Sequence, residues 1–351
     1  MRKSGTRGYS GYRGRRPSGK RWLILALILV LIAAVIFLAA QRYMVYNMDG
    51  SYRFELPWSR HVSSAAPAVQ RRSPQDLEIV IEEPEPVADV LLHAQELDAS
   101  ALNGGMTREL EALPESVNAV AIRLKTAEGD LLYPSALTDA VEARAVTGGS
   151  IARSAIEDLI GPDRWAIARI AALHDSRFAA AHAAEAAILQ KAYRNTVWYA
   201  PDSSYYLAPE KEPAREYLSA IAAEVAAMGF DELLFDEFGY PTAGRLNNID
   251  ASARDMTQQE ALSLLADNLR EAVSDYDVTL SVVMDEATVL AGGSEQSGQE
   301  LSALAVRFDR IYVPTTPEGI PALQAALLPY TAELVPILAE PLDEGAYLIS
   351  P

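Results

Sequence analysis

The chain has no cysteine. That excludes disulfides, zinc–thiolate centres and a thiol nucleophile. Histidine is almost as scarce: the four present, His61, His93, His174 and His182, show no i,i+4 pair or other metal-ligand spacing. A metal would have to be held by carboxylates alone, which suits calcium, yet no EF-hand loop pattern is present. No glycine-rich phosphate loop follows the first strand candidate either. The expectation is therefore a body that works without a cofactor.

Positive charge is missing from most of the chain. The first 21 residues carry eight Lys/Arg and no acid, which leaves 22 basic residues against 48 acids in the remainder, a formal charge of −26 there. A body of that sign lacks the basic footprint that nucleic acid requires, so nucleic acid is excluded as a partner.

Long uncharged runs are also rare, with one exception. Residues 22–40, WLILALILVLIAAVIFLAA, contain no charge over 19 positions. At about 1.5 Å per residue a helix of that length approaches the roughly 30 Å hydrocarbon core. Lys/Arg before it mark the cytoplasmic side, which sends the acidic body outward. A cleaved signal peptide would have a shorter apolar stretch and an A-x-A-like end, whereas this one ends FLAAQR. The sequence thus predicts a disordered basic tail over 1–21, a signal anchor in membrane lipid over 22–40, and a juxtamembrane segment and spacer over 41–86. Within the spacer, DLEIVIEE alternates well enough for an isolated strand.

From residue 87 to 351, apolar β-branched runs alternate with Ala/Glu/Leu helical patterns. Eight strand candidates stand out: 87–94, 117–124, 165–173, 196–200, 232–238, 278–284, 310–314 and 332–340. In the stretch TQQEALSLLADNLREAVSDY, Leu262, Leu265, Leu269 and Val273 recur at helical spacing. Gly229 sits where a helix-terminating glycine belongs. Strands apolar on both faces and separated by helices indicate a parallel sheet, and about 250 residues is the usual size of a (β/α)8 TIM-type barrel. An open doubly wound sheet is the alternative. The tail PLDEGAYLISP is too short for a closing helix.

Active sites of such barrels lie at the C-terminal ends of the strands. Those ends carry Glu96, Asp98, Lys125, Glu128, His174, Asp175, Asp202, Asp236, Glu237, Asp285, Glu286 and Glu340, with Trp198, Tyr199, Phe238, Tyr240 and Tyr312 nearby. Glycosidic cleavage needs two carboxylates, one to protonate the leaving oxygen and one to attack or activate water. Adjacent strand residues face opposite ways, so Asp236 and Glu237 cannot both project into the mouth from a regular strand. With Asp236 inward, the candidates for its partner are Glu237, Asp285, Glu286, Glu340 and Asp202. With 48 acids in the chain, some fall at strand ends by chance. Trp198 and Tyr199 serve equally well as packing residues.

Three blocks carry a family likeness: NAVAIRLKTAEGDLLYPS (118–135), WAIARIAALHDSRFAAAH (165–182) and EPAREYLSAIAAEVAAMGFDELLFDEFGYP (212–241). They resemble the putative glycosyl hydrolase domain family, a bacterial barrel family of largely unassigned activity. The segment YMVYNMDGSYRFELPW is similar to the part that precedes its barrel. The resemblance implies a glycosyl-hydrolase-like barrel, and the outward-facing tether adds the expectation that it acts on cell-envelope polysaccharide. It places Asp236 on the hallmark acid, Lys125 on the second-strand lysine, Arg169 on the third-strand arginine, and Trp198 and Pro201 on the fourth-strand aromatic and proline. Substrate contacts are thereby expected for Lys125, Arg169 and Trp198, and, from their places at or near the strand ends, for Tyr199, Asp202 and Tyr240. This chain departs from the pattern at Arg123, where the family has an acid, and at Thr126, Ala127, Glu237 and Gly239. A non-hydrolysing, glycan-binding or scaffold member is the alternative that those departures imply.

Overall fold

A computed structural model describes residues 91–192, 196–252 and 254–350, together with the strand residues 44–46 and 52–54. The chain divides into two units, 1–83 and 84–351. In the first, Met44–Tyr46 and Tyr52–Phe54 form an antiparallel pair. The expected tail, the anchor over 22–40, most of the spacer and the strand at 76–83 lie outside the described residues. Among the described residues, no helix is long and apolar enough to cross a membrane.

The second unit is built on a closed ring of eight parallel strands. They are β1 (His93–Leu97), β2 (Ala119–Lys125), β3 (Trp165–Ala171), β4 (Glu232–Asp236), β5 (Thr279–Val283), β6 (Arg310–Pro314), β7 (Glu333–Leu338) and β8 (Tyr347–Ile349). Each strand pairs in parallel with its sequence neighbours, and β8 pairs with β1 to close the ring. Helices include α1 (Ser150–Leu159) between β2 and β3, α2 (Glu212–Ala226) before β4, α3 (Gln258–Ala272) before β5, α4 (Glu286–Ala291) after β5 and α5 (Ile320–Leu327) before β7. No helix joins β7 to β8.

The fold class follows the sequence, but two of its strands do not. Residues 196–200 are not a barrel strand. They lie in the long crossover from β3 to β4, where Val197 makes an isolated bridge to Leu189 and the Trp198 N–H donates to the Ile188 carbonyl at 2.8 Å. The missing strand is Tyr347–Ile349, inside the tail that looked too short to matter. Three residues suffice because a parallel strand needs only to fill the gap between β7 and β1. The first strand also begins later than expected, at His93.

Local chemistry explains the helix ends. Thr257 caps α3: its hydroxyl accepts from the Glu260 N–H at 3.1 Å, while the Glu260 carboxylate accepts from the Thr257 N–H at 2.7 Å. Such a reciprocal cap satisfies two otherwise orphaned donors. Gly229, with φ of 97°, turns the chain out of α2 and into β4.

Strand alternation then sorts side chains into two cores. Ala94, Ala121, Ile167, Leu234, Tyr312, Val335 and Leu348 fill the barrel interior. The opposite faces of the strands pack on the helices, with Phe235, Leu280 and Ile311 meeting Ile221, Leu265 and Leu269 in one continuous cluster. Small alanines on β1 and β2 face the larger Leu234 and Tyr312, so the interior is filled rather than hollow.

Candidate active site

Two positions beyond Ala94, Ala121, Ile167 and Leu234, the same inward parity brings up Glu96, Arg123, Arg169 and Asp236. Across β1, β2, β3 and β4 the charges read minus, plus, plus, minus. Arg123 and Arg169 are direct cross-strand partners. Like charges in that relation are destabilising alone. The flanking acids reverse this. Arg169 donates through Nε to Asp236 Oδ2 at 2.8 Å and through a terminal nitrogen to Glu96 Oε2 at 2.6 Å. Arg123 lies 2.9 Å from the same Asp236 oxygen and 3.9 Å from Glu96. Ser350, just past β8, donates its hydroxyl to Glu96 Oε2 at 2.6 Å. Burial pulls the Arg169 pKa down, but the charges of Asp236 and Glu96 outweigh it and leave the guanidinium above its ordinary value. Both arginines therefore bear on one oxygen of Asp236, while Oδ1 is buried without a hydrogen-bond partner.

Asp236 and Arg169 line a cleft of ≈ 300 Å³ at the C-terminal mouth, with Glu237, Asp285, Tyr206, Tyr240, Ser297 and Gln299. Glu237 sits here because its backbone leaves the strand, at φ of 51°. A left-handed conformation is costly for a residue with a Cβ and collects at functional sites. Its half-exposed carboxylate lies 3.8 Å from His174 Nδ1. The His174 ring stacks on Tyr206 with centroids 4.4 Å apart. Burial, then the charges of Glu237 and Asp202, push the Tyr206 phenol up to about 12. Tyr240 is buried, donates to Glu210 at 2.6 Å, and lies under the Arg254 guanidinium, 4.8 Å from the ring centroid. Burial, followed by the Glu210 charge, raises its pKa as well.

Of the expected site residues, the cleft gathers Asp236, Glu237, Asp285, Arg169 and Tyr240. Others fall elsewhere. Lys125 is fully buried on the helix-facing side of β2, where Nζ lies 2.8 Å from Asp175 Oδ2 and donates to the Ala171 carbonyl at 2.8 Å. Parity alone would set it inward with Arg123, but a β-bulge between Arg123 and Lys125 shifts the register, pairs Lys125 with Ile170 and turns it away from the mouth. Glu286 accepts the Thr315 hydroxyl at 2.9 Å, and Glu340 is exposed outside the cleft. Asp202 is exposed and accepts from the Ser204 hydroxyl at 2.6 Å, which holds its carboxyl below the ordinary range. Trp198 is buried and Tyr199 exposed beside a separate depression lined by Gln190, Pro201 and Arg245. Among the described residues, no group of three or more His, Asp or Glu side chains is arranged to hold a metal.

Glu96 was expected only as one acid among many at the strand ends, and Arg123, Tyr206 and Gln299 were not singled out as site residues from the sequence. For Arg123 a signal existed: it is the one charge inside the run VNAVAIRL, in step with the inward positions of β2. For Tyr206, in the crossover before β4, and Gln299, in a two-residue strand paired with Gly293–Ser294 outside the ring, none did.

With this geometry in place, known proteins offer a comparison. The sequence profile of the putative glycosyl hydrolase domain matches residues 105–317. The chain belongs to that family. No curated protein matches it. Among solved structures, this family member is similar to a hypothetical protein from Ruminiclostridium thermocellum, with 19% identity and a TM-score of 0.45, covering 54% of this chain and 96% of that one. It is also similar to the PgaB (BpsB) glycoside hydrolase domain from Bordetella bronchiseptica, with 17% identity and a TM-score of 0.45, covering 70% and 82% of the two chains. A chitobiase from Flavobacterium johnsoniae shares 12% identity at a TM-score of 0.49, covering 70% of this chain and 38% of that one.

Proposed function

We propose that this glycosyl hydrolase-like barrel cleaves glycosidic bonds in extracytoplasmic cell-envelope polysaccharide and is tethered to the membrane by residues 22–40. The observation that supports it is the convergence of Asp236, Glu237 and Asp285 on one cleft at the strand ends. In this reading Asp236, fixed by Arg123 and Arg169, is the carboxylate facing the anomeric carbon. Glu237 or Asp285, neither of which has an arginine partner among the described residues, transfers the proton to and from the leaving oxygen. Tyr206 and Tyr240 flank the sugar, and Arg169 orients Asp236. The apolar, charge-free run behind a basic tail is what supports the tether.

A second reading has its own support. Two guanidiniums occupy Asp236 Oδ2, an arrangement that suits a hydrogen-bonding clamp on a ligand as well as a reacting group. The barrel would then bind envelope glycan without cleaving it.

The deciding experiment measures release of reducing ends from isolated envelope glycans, alongside binding to the same glycans. Hydrolysis by the wild type that is lost in Asp236→Asn supports the enzyme. Unchanged release by that variant removes Asp236 from the chemistry. Binding without release by either form selects the second reading. For the tether, fractionation is expected to leave the full chain in the membrane pellet after a high-salt wash and to release it with detergent.

A further inference from the structure

We propose that the cleft selects a cationic amino sugar, a hexosamine unit whose nitrogen carries no acyl group. The inference rests on the carbohydrate reading above and adds the charge of the ligand. Charges in the ring of inward residues cancel, because Arg123 and Arg169 are both engaged by Glu96 and Asp236. Among the described residues, Arg169 is the single basic one lining the cleft. What remains uncompensated there is negative. Asp285 is exposed at the start of α4 and caps nothing with its side chain. Among the described residues, the Glu237 carboxylate has His174, at 3.8 Å, as its one ion-pair contact.

A second, independent observation points to a donor. Asp236 has a side chain only 9 % exposed, it lines the cleft, and its Oδ1 has no hydrogen-bond partner. A buried carboxylate oxygen left without a donor is unfavourable, and a ligand that supplies one recovers that cost. A sugar hydroxyl supplies a donor alone. An ammonium supplies three donors and the charge that Glu237 and Asp285 lack. A uronic acid or a phosphorylated sugar would meet these same carboxylates and a body with a formal charge of −26 beyond residue 21, and would be repelled.

The test is calorimetric titration of the full chain with hexosamine oligomers in free-amine form, the same oligomers fully N-acetylated, and uronic-acid oligomers of matched length. With exposed charge pairs each giving a few-fold, the free-amine form is expected to bind ~10-fold tighter than the N-acetylated form at low ionic strength. That preference should shrink as salt is raised, because the charges are partly exposed. Asp285→Asn, a surface change that leaves the ring intact, should weaken the free-amine form ~3-fold and the N-acetylated form less, so that the ratio between the two falls. Asp236→Asn should weaken the free-amine form further. Equal or tighter binding of N-acetylated or uronic-acid oligomers overturns the amine inference and leaves the carbohydrate reading standing. Failure of every oligomer to bind overturns both.

Discussion

Arg169 Nε and Asp236 Oδ2 are 2.8 Å apart on neighbouring strands at the mouth of the ring. The bond couples Asp236 to a guanidinium that also holds Glu96 at 2.6 Å. One side chain therefore keeps two buried carboxylates paired.

Removing it should be severe. Arg169→Leu leaves Asp236 with Arg123 alone and Glu96 with a contact at 3.9 Å. Loss of one partner from a buried ion cluster costs about 3–5 kcal/mol, so equilibrium unfolding in urea should show a loss of that order. Arg169→Lys, which keeps the charge without the fork, should recover only part of it.

Lys125 and Asp175 make a second buried pair, both side chains fully inaccessible. Lys125→Met should lower stability by about 3–5 kcal/mol in the same assay. Adding Asp175→Asn should restore part of that loss. The amide oxygen can still accept from the Phe178 N–H and cap the following helix, as Asp175 does now at 2.8 Å. Glycan binding at the cleft should be unchanged in the refolded double variant, because this pair faces the helices.

How far these two lysine and arginine positions were legible in the sequence shows where sequence reading works. The repeating strand–helix pattern and the LLFD run specified a parallel barrel with Asp236 inward, because period-two alternation is a property of the backbone itself. The same rule, carried to β2, places Arg123 and Lys125 on one face, and only the β-bulge between them, which the sequence does not announce, sends Lys125 outward. Lys125 nevertheless looked like a ligand contact because it ends an apolar run. TVWYA has every mark of a strand by composition, yet it lies in a crossover, and the tertiary ring had no gap for it. YLI was too short to register, and only the unfilled space between β7 and β1 makes it a strand.

Glu237 offers a test of stored strain. Its φ of 51° suits glycine, and a left-handed conformation costs a residue with a Cβ about 1–2 kcal/mol. Glu237→Gly should therefore not destabilise the barrel, since relief of strain offsets the glycine's added freedom in the unfolded chain. If the proposed proton transfer runs through this carboxylate, reducing-end release should fall by about 10²–10⁴-fold in the same variant. Stability retained with activity lost is the expected split, measured by thermal unfolding and product assay together.

Tyr206 gives a pH signature. Burial and the nearby Glu237 and Asp202 charges place its phenol at about 12, against about 10 in an unfolded chain. Between those values the folded state holds the proton more tightly, so this residue's contribution to stability is complete below pH ~10 and is lost as pH rises towards ~12. Ultraviolet titration of phenolate, taken as the difference between wild type and Tyr206→Phe, should show the late ionisation. Glu237→Gln should bring it earlier by removing one of the negative charges that raise it.

Ser350 meets Glu96 across a sequence separation of 254 residues. Contacts that distant form late, because the intervening chain must be ordered before they can be made. Until β8 seats itself, two strand edges stay open to aggregation and Glu96 lacks one of its donors. Ligand capture by this protein should therefore serve as a maturity mark, absent from every intermediate that has collapsed but not yet zipped its seam.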